Sequence, residues 1–582
     1  MTQNHNYNTP HKGTQDWHIP LNDNFRAIDR DMEIRDAEAN LSAYAPAANA
    51  KFLATDTGRR YVGDGSSWTR LSYPVDSGEG SPNRVNMVAA GADPSGEEPI
   101  DAVLDREAGD DTVLLFPPGT YKLGDEFALS GTENFSMVGI DGSQATTLKI
   151  EGDFAASNMF NFGQSGSVAV SGLTFQGFTI DMRGDGVGAG VFWIHCRDRL
   201  RVADVNVVGT RDDTGVPSGR GEFLMRADIT EETGYGVVEG LTSLDGANDP
   251  SSGDPPTGIY SGALHNGTIT YKDCSVVGYQ DNGLYTSAAG KSQTESTVIV
   301  EGGYFANNDI SNIRLGADNT YVTGARIEMT DDSGMRYGNP RGLWVRRGNC
   351  VVDSCTVVYD EGDSNAIEIA SAAETVQMNN VKVEMNTNEP ALRVVADDSN
   401  TAVRKFRDCV FAGSGDGSSS YQMVKVAAPY TVFENCTVDN AAGRSSNKRA
   451  GIDLLSGADN CAIVGGWFNT DFWPISVRAN DCVVKDVGFA EAGDGSEPIS
   501  IDGSAANTRI DGNLNSLSGE VDDGGDRTTV NNVGFNGSAD PASGGEWNGN
   551  GYEGVMVAWL DGSGAEKVSV YRSGRWFPLD AA

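Results

Sequence analysis

The sequence predicts an all-β solenoid, a parallel β-helix, on three observations. A strand motif with a small residue or Cys at one position recurs along the chain, and a second strand type precedes most recurrences. The third is composition: 73 Gly among 582 residues, with many Asn, Asp and Ser, leave little room for long helices.

The recurring motif reads VADVNVVG, YKDCSVVG, VEGGYF, VTGARIEM, VDSCTVV, MNNVKVEM, FRDCVFAG, FENCTVDN, VGGWF and VKDVGF. Its shared position falls at Val205, Cys274, Gly303, Ala325, Cys355, Val381, Cys409, Cys436, Gly466 and Val487, roughly 20 to 32 residues apart after Cys274. The preceding strands are GLYT, NIRL, GLWV, AIEI, ALRV, MVKV, GIDL and PISV. Two or more strands per period, parallel from turn to turn, build a β-coil rather than a helical repeat. The longer interval from Val205 to Cys274 calls for an extra coil or a loop, with LDGANDPSSGDPPTG as the obvious loop.

Cys274, Cys355, Cys409 and Cys436 occupy one column of the repeat, and Cys350, Cys461 and Cys482 each lie five residues before the aligned position. In-register parallel strands do not readily offer disulfide geometry, and no CxxC pair occurs. Stacked, buried thiols are therefore expected rather than zinc or disulfide chemistry.

Three regions are expected: an N-terminal region over 1–84, the coil over 85–535 and a small β module over 536–582. In the first, Leu21, Phe25, Ile28, Met32 and Ile34 fall near helical spacing, and FLATDTGRRYVGDGSSWTRL reads as β-hairpins. The stretch VMVAWLDGSGAEKVSVYRSGRWFPL in the last region echoes those hairpins.

The chain carries 82 Asp plus Glu against 43 Lys plus Arg, a formal net charge of -39, which excludes a generic nucleic-acid binder. Apolar residues at 38% still suffice for a core. No run of about 18 apolar residues occurs, so no membrane insertion is expected. The first residues lack the pattern of a secretory signal, so cytoplasmic synthesis and release by lysis or within a particle are expected. The Asp-dominated excess resembles proteins of salt-loving archaea, whose surfaces need concentrated salt to screen self-repulsion.

The segment GADPSGEEPIDAVLDREAGDDTVLLFPPGTYKLG, Gly91 to Gly124, resembles the start of pectate-lyase-like right-handed parallel β-helix proteins (the pectin-lyase fold), in which such a turn precedes a short capping helix. Residues 5–71 resemble the N-terminal attachment regions of tail-fibre proteins from haloarchaeal tailed viruses. These resemblances imply a homotrimeric tail spike on the virion, held by other tail proteins through its N-terminal region. Its partner would be host surface polysaccharide or S-layer glycoprotein. The architecture is shared by binding proteins, hydrolases and lyases, so it leaves the reaction open.

Strand alternation aims Tyr285, Arg314, Trp344, Glu368, Arg393, Lys425, Asp453 and Ser476 at one outer face, with Trp193 and Tyr260 nearer the start. Aromatic rings and Arg or Lys side chains suit an acidic glycan, through stacking and through donation to carboxylates or sulfates. The alternative is an electrostatic ladder that only stabilises neighbouring strands. For a depolymerase, Glu368 is the carboxylate in the middle of the column. Asp453, three coils on, would lie roughly 14 Å away, beyond the spacing of a hydrolase pair. Asp363 in the preceding turn could supply the second carboxyl group. A lyase would use Arg314, Arg393 or Lys425 to neutralise a uronate. A host-encoded surface protein acting on carbohydrate is a third reading.

His195 and His265 are isolated and read as structural. No metal site or cofactor is expected, although Asp-rich turns such as VDDGGD could hold structural Ca2+; they lack the spacing of an EF-hand loop.

Overall fold

The computed structural model describes most of residues 33–70 and 83–511, and beyond them short strand segments as far as Leu579. The chain forms two compact units, Met1–Ser81 and Pro82–Ala582.

In the first unit, Glu33–Asp36, Lys51–Ala54, Arg60–Gly63 and Trp68–Arg70 make a four-stranded sheet, the last three strands joined antiparallel as the hairpins expected. Phe52 and Tyr61 are buried, with Ile34, Leu41, Tyr44 and Trp68 packed against them. The described end of the expected helix is different: Glu33–Asp36 pairs with Lys51–Ala54, and a 3-10 helix follows at Glu38–Ala43. Asp36 accepts the Ala37 N–H and the Tyr44 hydroxyl, both at 2.8 Å, a side-chain turn that competes with helix. Leu21, Phe25, Ile28 and Met32 lie outside the described residues.

The second unit contains the coil, a right-handed parallel β-helix. Two strand columns join in a 29-stranded sheet, and a third column makes a 15-stranded sheet running from Phe127–Leu129 to Val521–Asp523. The inward residues of all three columns form one continuous core, from Met87 to Ile510. Its early coils are packed with Phe rings, such as Phe175 and Phe178 with centroids 4.7 Å apart. The helix Asp101–Glu107 precedes the first strand of the 15-stranded sheet, and Ile100 and Leu104 join the core there. It thus occupies the place of a preceding strand and covers an edge that would otherwise be open.

The repeat is explained by one backbone feature. Residues Asp204, Asp273, Ser354, Asn380, Asp408, Asn435 and Asp486, each immediately before the aligned position, have φ between 50° and 54°. This single left-handed residue bends the chain between its two strands, which is why Asn and Asp recur there. Gly302–Gly303 and Gly465–Gly466 take two positive φ values in succession, and a Cβ on Gly466 would lie 2.1 Å from the Cys436 carbonyl oxygen. Only glycine fits that approach. The aligned carbonyls stack: those of Cys274, Gly303, Ala325, Cys355, Val381, Cys409 and Cys436 each accept an N–H from the next coil.

All 8 cysteines are buried and free. Cys274, Cys409 and Cys436 donate to carbonyls of the preceding coil at 3.5 Å. Burial pushes the Cys274 and Cys482 thiols up to about 12, so they act as small apolar residues with a weak donor. The long interval after Val205 is filled by a full coil, with strands Phe223–Ile229 and Tyr235–Ser243. Near the C-terminus, Met556–Leu560, Glu566–Arg572 and Arg575–Leu579 form an antiparallel meander. Among the described residues no helix is long and apolar enough to cross a membrane.

Candidate functional site

Thirteen side chains stand in direct register on consecutive strands of the 15-stranded sheet: Asn161, Trp193, Arg226, Tyr260, Tyr285, Arg314, Trp344, Glu368, Arg393, Lys425, Asp453, Ser476 and Ser500. Every column residue named from the sequence falls on this line. Alternation puts them outside because their neighbours, such as Leu343 and Val345 around Trp344, fill the core.

The first half of the column is a stack of rings and guanidinium groups. The Arg226 guanidinium carbon lies 4.4 Å from the Trp193 ring centroid and 5.5 Å from that of Tyr260. Phe223 stacks on Tyr260 at 4.2 Å, and Tyr260 meets Tyr285 edge to face at 5.1 Å. Arg314 then sits between Tyr285 and Trp344, at 4.3 and 4.7 Å. Arg341 and Arg346, at 4.1 and 4.5 Å, complete three guanidinium groups around the Trp344 indole. Each of Trp193, Tyr260, Tyr285 and Trp344 therefore has an aromatic or guanidinium group against it. Sugar stacking on open aromatic faces, as the sequence suggested, is replaced by this arrangement.

The second half is ionic. Glu368 is 5% exposed, 3.3 Å from Arg341 and 3.8 Å from Arg393, and accepts from the Asn365 amide at 3.1 Å. Arg393 is exposed and Lys425 half-buried. Asp453 has no exposed surface; Arg478 donates to it at 2.9 Å. Burial raises its carboxyl above the ordinary range, opposed by Arg478, Ser476 and Lys425. A carboxyl group closed off in this way cannot meet a polymer outside, so Asp453, a candidate for the second carboxylate of a depolymerase, is not placed for that role. Its register three strands from Glu368 also separates the two. Asp363 is exposed in the bend before the Ile367–Ile369 strand.

Arg226 was not singled out from the sequence. Beside it, Asp228 is fully buried and receives three groups: Arg226 at 3.0 Å, His195 Nε2 at 3.2 Å and the Gly262 N–H at 2.5 Å. Burial opposes ionisation of Asp228, but the hydrogen bond from His195 and the Arg226 charge outweigh it and hold the carboxyl below its ordinary value. A Cβ on Gly262 would lie 2.8 Å from the Arg226 guanidinium, so a larger residue there would displace that side chain. His265 accepts the Ile229 N–H at 3.1 Å, so both histidines serve the coil itself. Asp281, bonded by Thr257, is pushed up by burial and flanks Arg314.

Burial pushes the Arg314 guanidinium below its ordinary value; Tyr285 and Asp281 counteract this, and the Arg346 and Arg341 charges add to it. Arginine nonetheless stays charged. Nε of Arg314 and Nε1 of Trp344 are buried and without a hydrogen-bond partner among the described residues. Among those residues no group of three or more metal-ligating side chains occurs. The VDDGGD stretch is not simply a turn: Val521–Asp523 is the last strand of the sheet.

No protein-family model and no curated protein sequence matches the chain. Among solved structures, the N-terminal fragment of bacteriophage phi29 gene product 12 is similar at 11% identity and a TM-score of 0.41, over 86% of this chain and 96% of that one. Bacteriophage CBA120 tailspike protein 3 is similar at 11% and 0.35, over 96% and 87%. The catalytic unit of a GH87 α-1,3-glucanase from Streptomyces thermodiastaticus is similar at 15% and 0.38, over 68% and 70%. At such values the likenesses carry no argument about what this chain binds or does.

Proposed function

We propose that this protein binds an anionic cell-surface glycan or glycoprotein along the ridge from Trp193 to Lys425. One observation carries the reading: on a chain of net charge -39, Arg226, Arg314, Arg341, Arg346, Arg393 and Lys425 gather on one face, stacked with aromatic side chains. Such a ridge supplies guanidinium and ammonium donors along a line of strands about 4.8 Å apart, which suits a polymer with repeated negative charge.

In this reading the protein is a virion tail spike of a salt-adapted tailed virus, assembled as a homotrimer and attached through residues 1–84. Support comes from the resemblance of residues 5–71 and from the acidic composition.

The test is binding of the purified chain to acidic and neutral polysaccharides by calorimetry. Acidic polymers bind and neutral ones do not, and Trp344→Ala with Arg393→Ala together remove binding while the fold persists. A folded double variant that binds unchanged would remove the proposed face. Reducing ends and unsaturated-uronate absorbance, followed in the same mixtures, report any hydrolase or lyase activity; silence in both leaves a binding protein.

A further inference from the structure

We infer that the Trp344 cluster seats an esterified tetrahedral oxyanion, a sulfate or phosphate monoester carried by the glycan. This rests on the glycan-binding reading above and names the group recognised.

Three guanidinium groups lie within 4.7 Å of one indole centroid. Only Arg341 has a carboxylate partner among the described residues, Glu368 at 3.3 Å; Arg314 and Arg346 form no ion pair with those residues. Asp281 interacts with Arg314 at longer range without forming an ion pair. The cluster thus holds two guanidinium groups, Arg314 and Arg346, without an ion pair among the described residues. Like charges held this close repel unless an anion enters.

Two donors in the cluster, Arg314 Nε and Trp344 Nε1, are buried with no acceptor among the described residues. A uronate carboxylate is planar and is saturated by one guanidinium fork. Three guanidinium groups gathered on one indole instead supply more donors than a planar carboxylate accepts, which suits a group with three terminal oxygens. A nucleic-acid phosphate is disfavoured by the net charge of -39.

The experiment uses the full chain and one backbone with different substituents: dextran sulfate, phosphorylated dextran, carboxymethyl dextran at matched charge density, and dextran. Dissociation constants are read by biolayer interferometry. The expected result is binding of a sulfated or phosphorylated polymer at least about tenfold tighter than the carboxymethyl polymer, the difference worth one extra charge-assisted hydrogen bond. Whichever of the two esters binds tighter identifies the anion.

Arg346 is exposed, so Arg346→Gln should leave folding intact and abolish the preference, and Arg346→Lys, which keeps the charge but not the fork, should weaken it. Lys485→Gln, on the other sheet, should preserve it. Equal or tighter binding of carboxymethyl dextran, or a preference untouched by Arg346→Gln, overturns the inference while the glycan reading stands. Binding of none of the charged polymers removes both.

Discussion

Arg226 Nε lies 3.0 Å from a carboxylate oxygen of Asp228, a residue with no exposed surface. Breaking a buried pair from one side leaves an uncompensated charge, which costs about 3–5 kcal/mol. Arg226→Ala and Asp228→Asn are each expected to lower stability by that order in denaturant titrations. The Asp228 carboxyl is held below its ordinary value of 3.8, so its contribution is present above that pH and is lost as pH falls through the lower folded value. Acid unfolding of Asp228→Asn should show a weaker pH dependence in that window.

Asp453 has the opposite sign. Its carboxyl is raised, so its stabilising contribution is complete below the ordinary value of 3.8 and disappears as pH rises through the folded value. At pH 7, Asp453→Asn should be neutral or stabilising, since Arg478 is 40% exposed and returns to water. A loss matching that of Asp228→Asn would show that Arg478 cannot be resolvated.

The corner before each aligned position is specific to residue type. Asp408 has φ 52°, so Asp408→Val is expected to cost about 1–2 kcal/mol, whereas Asp408→Gly should be tolerated. The denaturation midpoints of the two variants check this, and equal midpoints would remove the explanation of the repeat.

The coil and its outer column were readable because both depend on strict local rules. A left-handed corner wants Asn, Asp or Gly, and alternation places every second side chain outside. Hence Tyr285 through Ser476 fall in register as the sequence implied. Arg226 was missed because its strand, FLMRADI, lies in the one interval where the spacing lapsed. Its alternation around Arg226 was the available signal. The burial of Glu368 and Asp453 was not readable, since it comes from Arg341 and Arg478, which lie at other positions and meet them only in the folded chain. The stacking of Arg314 between two rings has the same origin.

Net charge -39 predicts salt-dependent folding. The thermal midpoint should rise from dilute buffer to about 1 M KCl, where the screening length falls to about 3 Å. An unchanged cooperative transition in dilute buffer would contradict this.

Hydroxyl-radical footprinting with and without an acidic polysaccharide locates the binding face directly. Oxidation of Tyr260, Tyr285 and Trp344 should fall on binding. Tyr321 and Trp467, each 46% exposed on the other sheet, should be unaffected. Protection centred on Tyr321 and Trp467, with the ridge unchanged, would contradict the account.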